Sequence, residues 1–157
     1  MKINGEQIQI REVQIVKLHR TNSAGLELKV CGYPIGIQAE YEQLVPKPQP
    51  VEKPTGVMRA GKGAETKPDY NDPAYVVAFD KWMYLQKFYY ICKCLLAVNS
   101  DLSFANDYTK LDQLEKIPSE LNEAGFSEGD VGIILEAIKN ATHIDPKAIE
   151  EAKASLQ

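Results

Sequence analysis

Three cysteines and two histidines are the residues best able to build a reactive or metal-binding centre, and their spacing does not bring them together. Cys92 and Cys94 stand two apart in a stretch that reads as helix, which turns them about 200° away from each other. From a regular helix they neither share one ion nor bridge to one another. With Cys31 they make an odd set, which reads as small apolar fillers in a reducing compartment. His19 and His143 are remote in sequence from the cysteines and from each other, so both read as surface or capping residues. No GxGxxG, P-loop, HExxH, GxSxG or CxxC pattern occurs. "GKGAET" at 61–66 hints at a phosphate loop, but it lacks the Lys-Ser/Thr ending and reads as having no strand before it. Glu150 and Glu151 lie side by side with nothing convergent near them, and the other acids of the second half fall at helix starts, where the macrodipole favours them. The expectation is a non-enzymatic protein with no cofactor and no metal.

What the chain does concentrate is rings. Seven aromatic residues fall between Tyr75 and Tyr90. Tyr84, Phe88, Ile91, Leu95 and Val98 form one stripe at helical spacing, and Tyr75, Phe79 and Trp82 form a second that points elsewhere. A helix this apolar all round is either central in its domain or half-covered by a partner. Most of the rings should pack between this helix and the C-terminal helices. The surplus should dock an amphipathic helix, because Tyr and Trp combine contact area with a polar tip and low entropy loss. The residues nominated for that contact are Tyr75, Phe79, Trp82, Tyr89 and Phe126.

The elements that must position these rings are punctuated clearly. The first forty-five residues read as β: "EQIQI" alternates through Ile8 and Ile10, "EVQIVKL" places Val13 and Ile15 on one side with Val16 and Leu18 on the other, and "LELKVCGY" alternates through Leu26, Leu28 and Val30. "TNSAG" is the turn between the last two, and "GIQAEYEQLV" suits a short helix. Pro46 to Pro73 spans twenty-eight residues with six prolines, three glycines and little apolar content, which predicts an extended or disordered tether. Asp72-Pro73 then starts the long helix. "NDYTKLDQLEK" should be a short helix begun at Asn106 or Asp107, and "PSELNEAG" one that stops on Gly125. "SEGDVGIILEAIKN" begins with a Ser127/Asp130 capping box and should bury Val131, Ile134, Leu135 and Ile138. "DPKAIEEAKASL" repeats the Asp-Pro start. The predicted class is α+β: an N-terminal antiparallel β-hairpin or meander at 1–45, a Pro-rich linker at 46–72, and a mainly helical unit at 73–157 with one long aromatic-rich helix and three short ones.

Bulk properties narrow the partners. With 157 residues, 44% hydrophobic and 25% charged, the chain is an ordinary globular protein. It is long enough to bury roughly 68–70% of its unfolded surface without a metal or disulfide. The net charge of −4 is unevenly spread: nine Lys/Arg against six Asp/Glu up to Ala64, then nine against sixteen. The acidic half excludes a phosphate track there, so no nucleic-acid partner is expected. "MKINGEQIQI" carries no signal-peptide core, and no run reaches the 18 or so apolar residues of a membrane helix.

The order of these features resembles the small tail assembly chaperones of long-tailed bacteriophages. The resemblance rests on a β-rich start, the break at "LVPKPQP", the "DPAYVVAFDKW" helix start, "ELNEAGFSEGDVGIILEAI" and a terminal "DPKAIEEAKASL". It implies a host-cytoplasmic protein that holds helical segments of a tape-measure protein, or another tail protein, until the tail tube closes round them. It fixes no binding residue. Two other readings stay open: a minor tail or connector subunit, which would form homo-oligomers through its strands, and a ubiquitin-associated-like module suggested by the Gly-Phe turn at Gly125-Phe126. A helix-turn-helix DNA reader is disfavoured because Glu128 and Asp130 open the second helix.

Overall fold

The computed structural model describes residues 2–3, 6–7, 13–18, 26–59, 61 and 63–142. In chain order the elements are β1 (Lys2–Ile3), β2 (Glu6–Gln7), β3 (Val13–Leu18), β4 (Leu26–Cys31), α1 (Ile37–Leu44), β5 (Val51–Arg59), β6 (Gly63–Asp69), α2 (Pro73–Leu96), α3 (Leu111–Leu114), α4 (Ile117–Glu123) and α5 (Glu128–Thr142). The strands pair as three antiparallel hairpins, β1–β2, β3–β4 and β5–β6, and the fold is α+β. Ile8, Ile10, the "TNSAG" turn, both histidines and the terminal "DPKAIEEAKASL" lie outside the described residues.

α2 is the axis of the molecule. Asp72 caps it by accepting from the backbone N–H groups of Ala74 (3.1 Å) and Tyr75 (3.0 Å), with Pro73 in the first turn where no donor is missed. Its 24 residues span about 36 Å. From Trp82 onward the buried residues of α2 fall on faces that each have their own cover. Trp82 and Tyr89 turn towards α1 and its buried Tyr41; Leu85 lies beside α3, whose Leu114 is buried; Phe88, Ile91 and Leu95 meet β4, α4 and α5. The two aromatic stripes therefore belong to two packing faces of one central helix.

The β-rich start and the helical unit share a single core, so the expected division at 45 and 73 is not a division in packing. Val16 and Leu18 of β3 and Leu28 and Val30 of β4 are buried together with Ile134 and Ile138 of α5. On β3 the other face, Val13 and Ile15, stays outside, Ile15 at 59% exposure. Both faces of this strand are apolar, and α5 decides which one is inside. The far edge of β4 is capped at Lys29 by one side chain. Asn99, just past α2, accepts from the Lys29 N–H (3.2 Å) and donates to the Lys29 carbonyl (2.7 Å), occupying both groups that β3 leaves unpaired. Asn99→Ala is expected to cost about 1 kcal/mol, because water reaches this edge and replaces part of what is lost. A denaturant midpoint checks it, and an unchanged midpoint would mean the edge needs no plug.

The stretch 46–72, expected as a tether, is a hairpin for most of its length. Val51 pairs with Asp69 and Lys53 with Lys67; Arg59 pairs with Gly63, with an irregularity between Pro54 and Met58. Gly61 and Gly63 at φ 78° and 77° make the reversal, a backbone state that residues with a Cβ rarely adopt. Thr55 Oγ1 donates to the Glu65 carbonyl at 3.0 Å, and Lys53 forms an ion pair with Asp69. "GKGAET" is thus the turn and first residues of β6; a strand does precede it, but a strand rather than a helix follows. No described side chain from 51 to 69 is buried.

The helix expected from Asn106 or Asp107 begins only at Leu111. Asp107 instead accepts from the Thr109 N–H (3.0 Å) and hydroxyl (2.6 Å), a local turn that competes with helix. Glu120 of α4 holds the preceding loop by accepting from the Ala105 and Asn106 backbone and the Asn106 amide, and these bonds keep its carboxyl below the usual range against the opposing pull of burial. α4 ends as expected: Gly125 (φ 84°) donates to Asn122 and Phe126 donates back to Leu121, a Schellman closure. Ser127 and Asp130 cap α5 reciprocally, and Val131, Ile134 and Ile138 are buried, with Leu135 packed at the core's margin.

Candidate protein-docking surface

Four of the five nominated rings, Tyr75, Phe79, Trp82 and Tyr89, stand in a ladder of aromatic contacts. Tyr70 meets Tyr75 edge-on at 5.9 Å between centroids; Tyr75 stacks on Phe79 at 5.7 Å and Phe79 on Trp82 at 5.8 Å. Trp82 then meets Tyr41 at 5.3 Å, Tyr41 meets Tyr89 at 5.5 Å, and Tyr89 meets Tyr108 at 5.4 Å. The spacing of 75, 79 and 82 places Tyr75, Phe79 and Trp82 one above another on α2. Each aromatic contact adds about 0.5–1.5 kcal/mol beyond its area.

The polar tips are used inside the molecule. Pro46 forces Val45 into an extended conformation and stops α1. The Val45 carbonyl then accepts from the Trp82 indole N–H at 2.9 Å, while the Tyr41 hydroxyl donates to the Trp82 carbonyl at 2.6 Å. The Tyr89 hydroxyl donates to Glu40 at 3.3 Å, and Lys93 binds the same carboxylate. That lysine holds the Glu40 carboxyl below its ordinary range. Burial pushes the phenols of Tyr41 and Tyr90 upward, Tyr90 to about 12.

These contacts sort the five nominations. Trp82 and Tyr89 are each only 4% exposed, so they are core residues and offer no ring face to a partner. Tyr75 and Phe79 are half-buried, with Lys47 5.9 Å from the Phe79 ring centre. Phe126 is half-buried at the turn between α4 and α5. The cysteines are buried: Cys31 Sγ donates to the Cys94 carbonyl at 3.4 Å, and burial pushes the Cys92 thiol up.

The open apolar surface lies on the other stripe. No residue from Pro73 to Lys81 is buried, and Val76, Val77, Met83 and Tyr84 are exposed, Val77 at 69%. At helical spacing these four continue the line of Ile91, Cys94, Leu95 and Val98, the face that the sheet, α4 and α5 cover further along. α2 is longer than its cover. Where the cover begins there is a groove of about 210 Å3, floored by Tyr84, Phe88, Leu121, Phe126 and Val131 and flanked by Lys87 and Glu128. Lys87 Nζ lies 4.8 Å from the ring centres of both Tyr84 and Phe88, a cation–π placement that keeps its charge at the rim. Asp80 lies at the middle of the stripe. The signal that could have found this face in the sequence is the first stripe itself, extended backwards from Tyr84 to Val77 and Val76.

Among the described residues, no helix is long and apolar enough to cross a membrane. No protein-family profile matches the chain, and no curated protein or solved structure matches it either.

Proposed function

We propose that this chain is a non-enzymatic docking protein of the tail assembly chaperone kind, which holds an amphipathic helical segment of a tape-measure or other tail protein on the uncovered half of α2. The observation that carries the reading is continuity: the face of α2 that is core from Phe88 onward runs on through Tyr84, Met83, Val77 and Val76, apolar but for Asp80 and with no described element covering it. A helix laid along that line replaces the missing cover, and its anchors at i, i+3, i+4 and i+7 meet the same spacing on α2. Phe126 and the groove give the segment an end stop. Tyr75 and Phe79, half-buried round the side of the helix, supply a flank.

Fluorescence anisotropy of labelled helical tape-measure segments tests the reading. Val77→Asp combined with Met83→Asp should weaken binding at least about tenfold, since each places a charge in a contact that must be desolvated. Both positions are exposed, so the thermal midpoint should move little. Undiminished affinity in the double variant would remove α2 as the docking face.

A further inference from the structure

The longer strands of this fold differ in how their outer edges are finished. β4 is capped at Lys29 by Asn99. β5 and β6 carry Pro54 and Pro68 and an irregular stretch between Pro54 and Met58, devices that blunt an edge against further pairing. β3, six residues in unbroken register with β4, has none of these. The phase of its outer edge follows from the opposite strand. Asn99 engages both the N–H and the carbonyl of Lys29, so those groups point away from β3. Lys29 therefore faces Ile15 as a pair without mutual hydrogen bonds. By alternation the N–H and carbonyl groups of Val13, Ile15 and Lys17 all point to the outer edge, where no described residue pairs with them. The side chains of the same three residues stand exposed on the face turned away from α5. The one charge on the strand, Lys17, is paired at 3.0 Å with Glu27 of β4 and so drawn back over the hairpin.

We propose that β3 pairs with β3 of a second copy across a two-fold axis, joining two hairpins into one four-stranded antiparallel sheet. A second copy fits because this edge is its own complement. A two-fold axis sets β3 antiparallel to itself, and the groups presented by Val13, Ile15 and Lys17 then meet groups presented by the same residues. The residues also choose the register. Ile15 opposite Ile15 of the second copy, with Val13 opposite Lys17, uses every outward group of both strands and makes about six backbone hydrogen bonds, two for each of three facing pairs. A shift either way leaves outward groups of these residues unused, and a shift in one direction ends with Lys17 facing Lys17. In the favoured register Ile15 covers its counterpart and Val13 lies against the aliphatic stem of Lys17, so the exposed apolar side chains are covered together with the edge. An extended peptide could take the backbone bonds, but only a second copy returns this matched set of side chains. The outer edges of the joined sheet are then the two β4 edges, each capped at Lys29, and growth stops at two chains. The contact uses no residue of α2 and does not rest on the docking function.

Sedimentation velocity of the full chain alone, over a concentration series, tests this. Wild type should move from the one-chain towards the two-chain mass as concentration rises, and no further. Ile15→Pro removes an outward N–H while leaving the ladder to β4 intact, so it should keep the far-UV circular dichroism of wild type and sediment as a monomer. Cysteine cross-linking reads the register independently, without a proline in the strand. Under a mild disulfide oxidant Ile15→Cys should cross-link to itself. Val13→Cys and Lys17→Cys should each remain single chains, and an equal mixture of the two should cross-link. Wild type, whose own cysteines are buried, is the control that stays uncross-linked. A wild type that is monomeric at every concentration overturns the proposal, and so does an Ile15→Pro variant that keeps the two-chain mass. Val13→Cys chains that cross-link to each other as readily as Ile15→Cys chains would overturn it too, by placing the axis elsewhere.

Discussion

Trp82→Ala should lower the unfolding free energy by about 3–5 kcal/mol, a large share of the roughly 5–15 kcal/mol that holds a domain of this kind together. The side chain stands where the ring ladder enters the core, at 4% exposure between Phe79 and Tyr41. Removing it leaves a cavity that α1 cannot collapse into, because Tyr41 is bonded to the backbone of the same residue. It also strips the Val45 carbonyl of its 2.9 Å donor. Trp82→Phe separates the two losses: it keeps most of the volume and deletes the indole N–H, for about 1–3 kcal/mol. Urea unfolding followed by far-UV circular dichroism measures both, since the only tryptophan is the residue removed. A loss under about 1 kcal/mol for the alanine variant would show that α1 and α2 are not held together through this ring.

The same ring shows what the sequence could convey and what it could not. Caps are local chemistry, and they were legible: Asp72-Pro73, Gly125 and the Ser127/Asp130 pair each do in the structure what their residue types predict. The spacing of Tyr75, Phe79 and Trp82 was equally legible, but a docking stripe and a core stripe have the same period. The difference lies in where the neighbouring elements end. α1 extends far enough to cover Trp82 and Tyr89, whereas α4 and α5 stop short of Tyr84 and leave Val76 and Val77 bare. For the same reason β3 could not announce its inner face, since Val13 and Ile15 are as apolar as Val16 and Leu18. The β5–β6 hairpin was hidden more completely. Its order comes from backbone pairing, three positive-φ glycines and the Lys53–Asp69 pair, with no apolar alternation to betray it.

Gly32→Ala is the second large expected effect, and its sign is set by space alone. A methyl group on Gly32 would sit 2.5 Å from the Ala141 carbonyl oxygen, 2.8 Å from its carbon and 2.9 Å from the Thr142 Cα. All three are backbone atoms, so no rotamer change relieves the collision. Elsewhere a Gly-to-Ala change gains about 0.4–1 kcal/mol by restricting the unfolded chain. Here the last turn of α5 must move off β4, with the Tyr33 N–H bond to Thr142 Oγ1 (2.8 Å) and the burial of Ile138 and Ala141 put at risk. The net loss should be about 3 kcal/mol, at the upper end for overpacking, because backbone meets backbone. Thr142→Val, which removes only the hydroxyl contact, should lose about 1 kcal/mol. Denaturant midpoints decide between them; an alanine variant as stable as wild type would mean α5 is not seated on Gly32. α5 also carries Glu128 and Val131 at its other end, where they line the groove beside Tyr84. A shift forced at Thr142 and passed along α5 would reach the groove, so Gly32→Ala should also weaken docking without touching the contact surface.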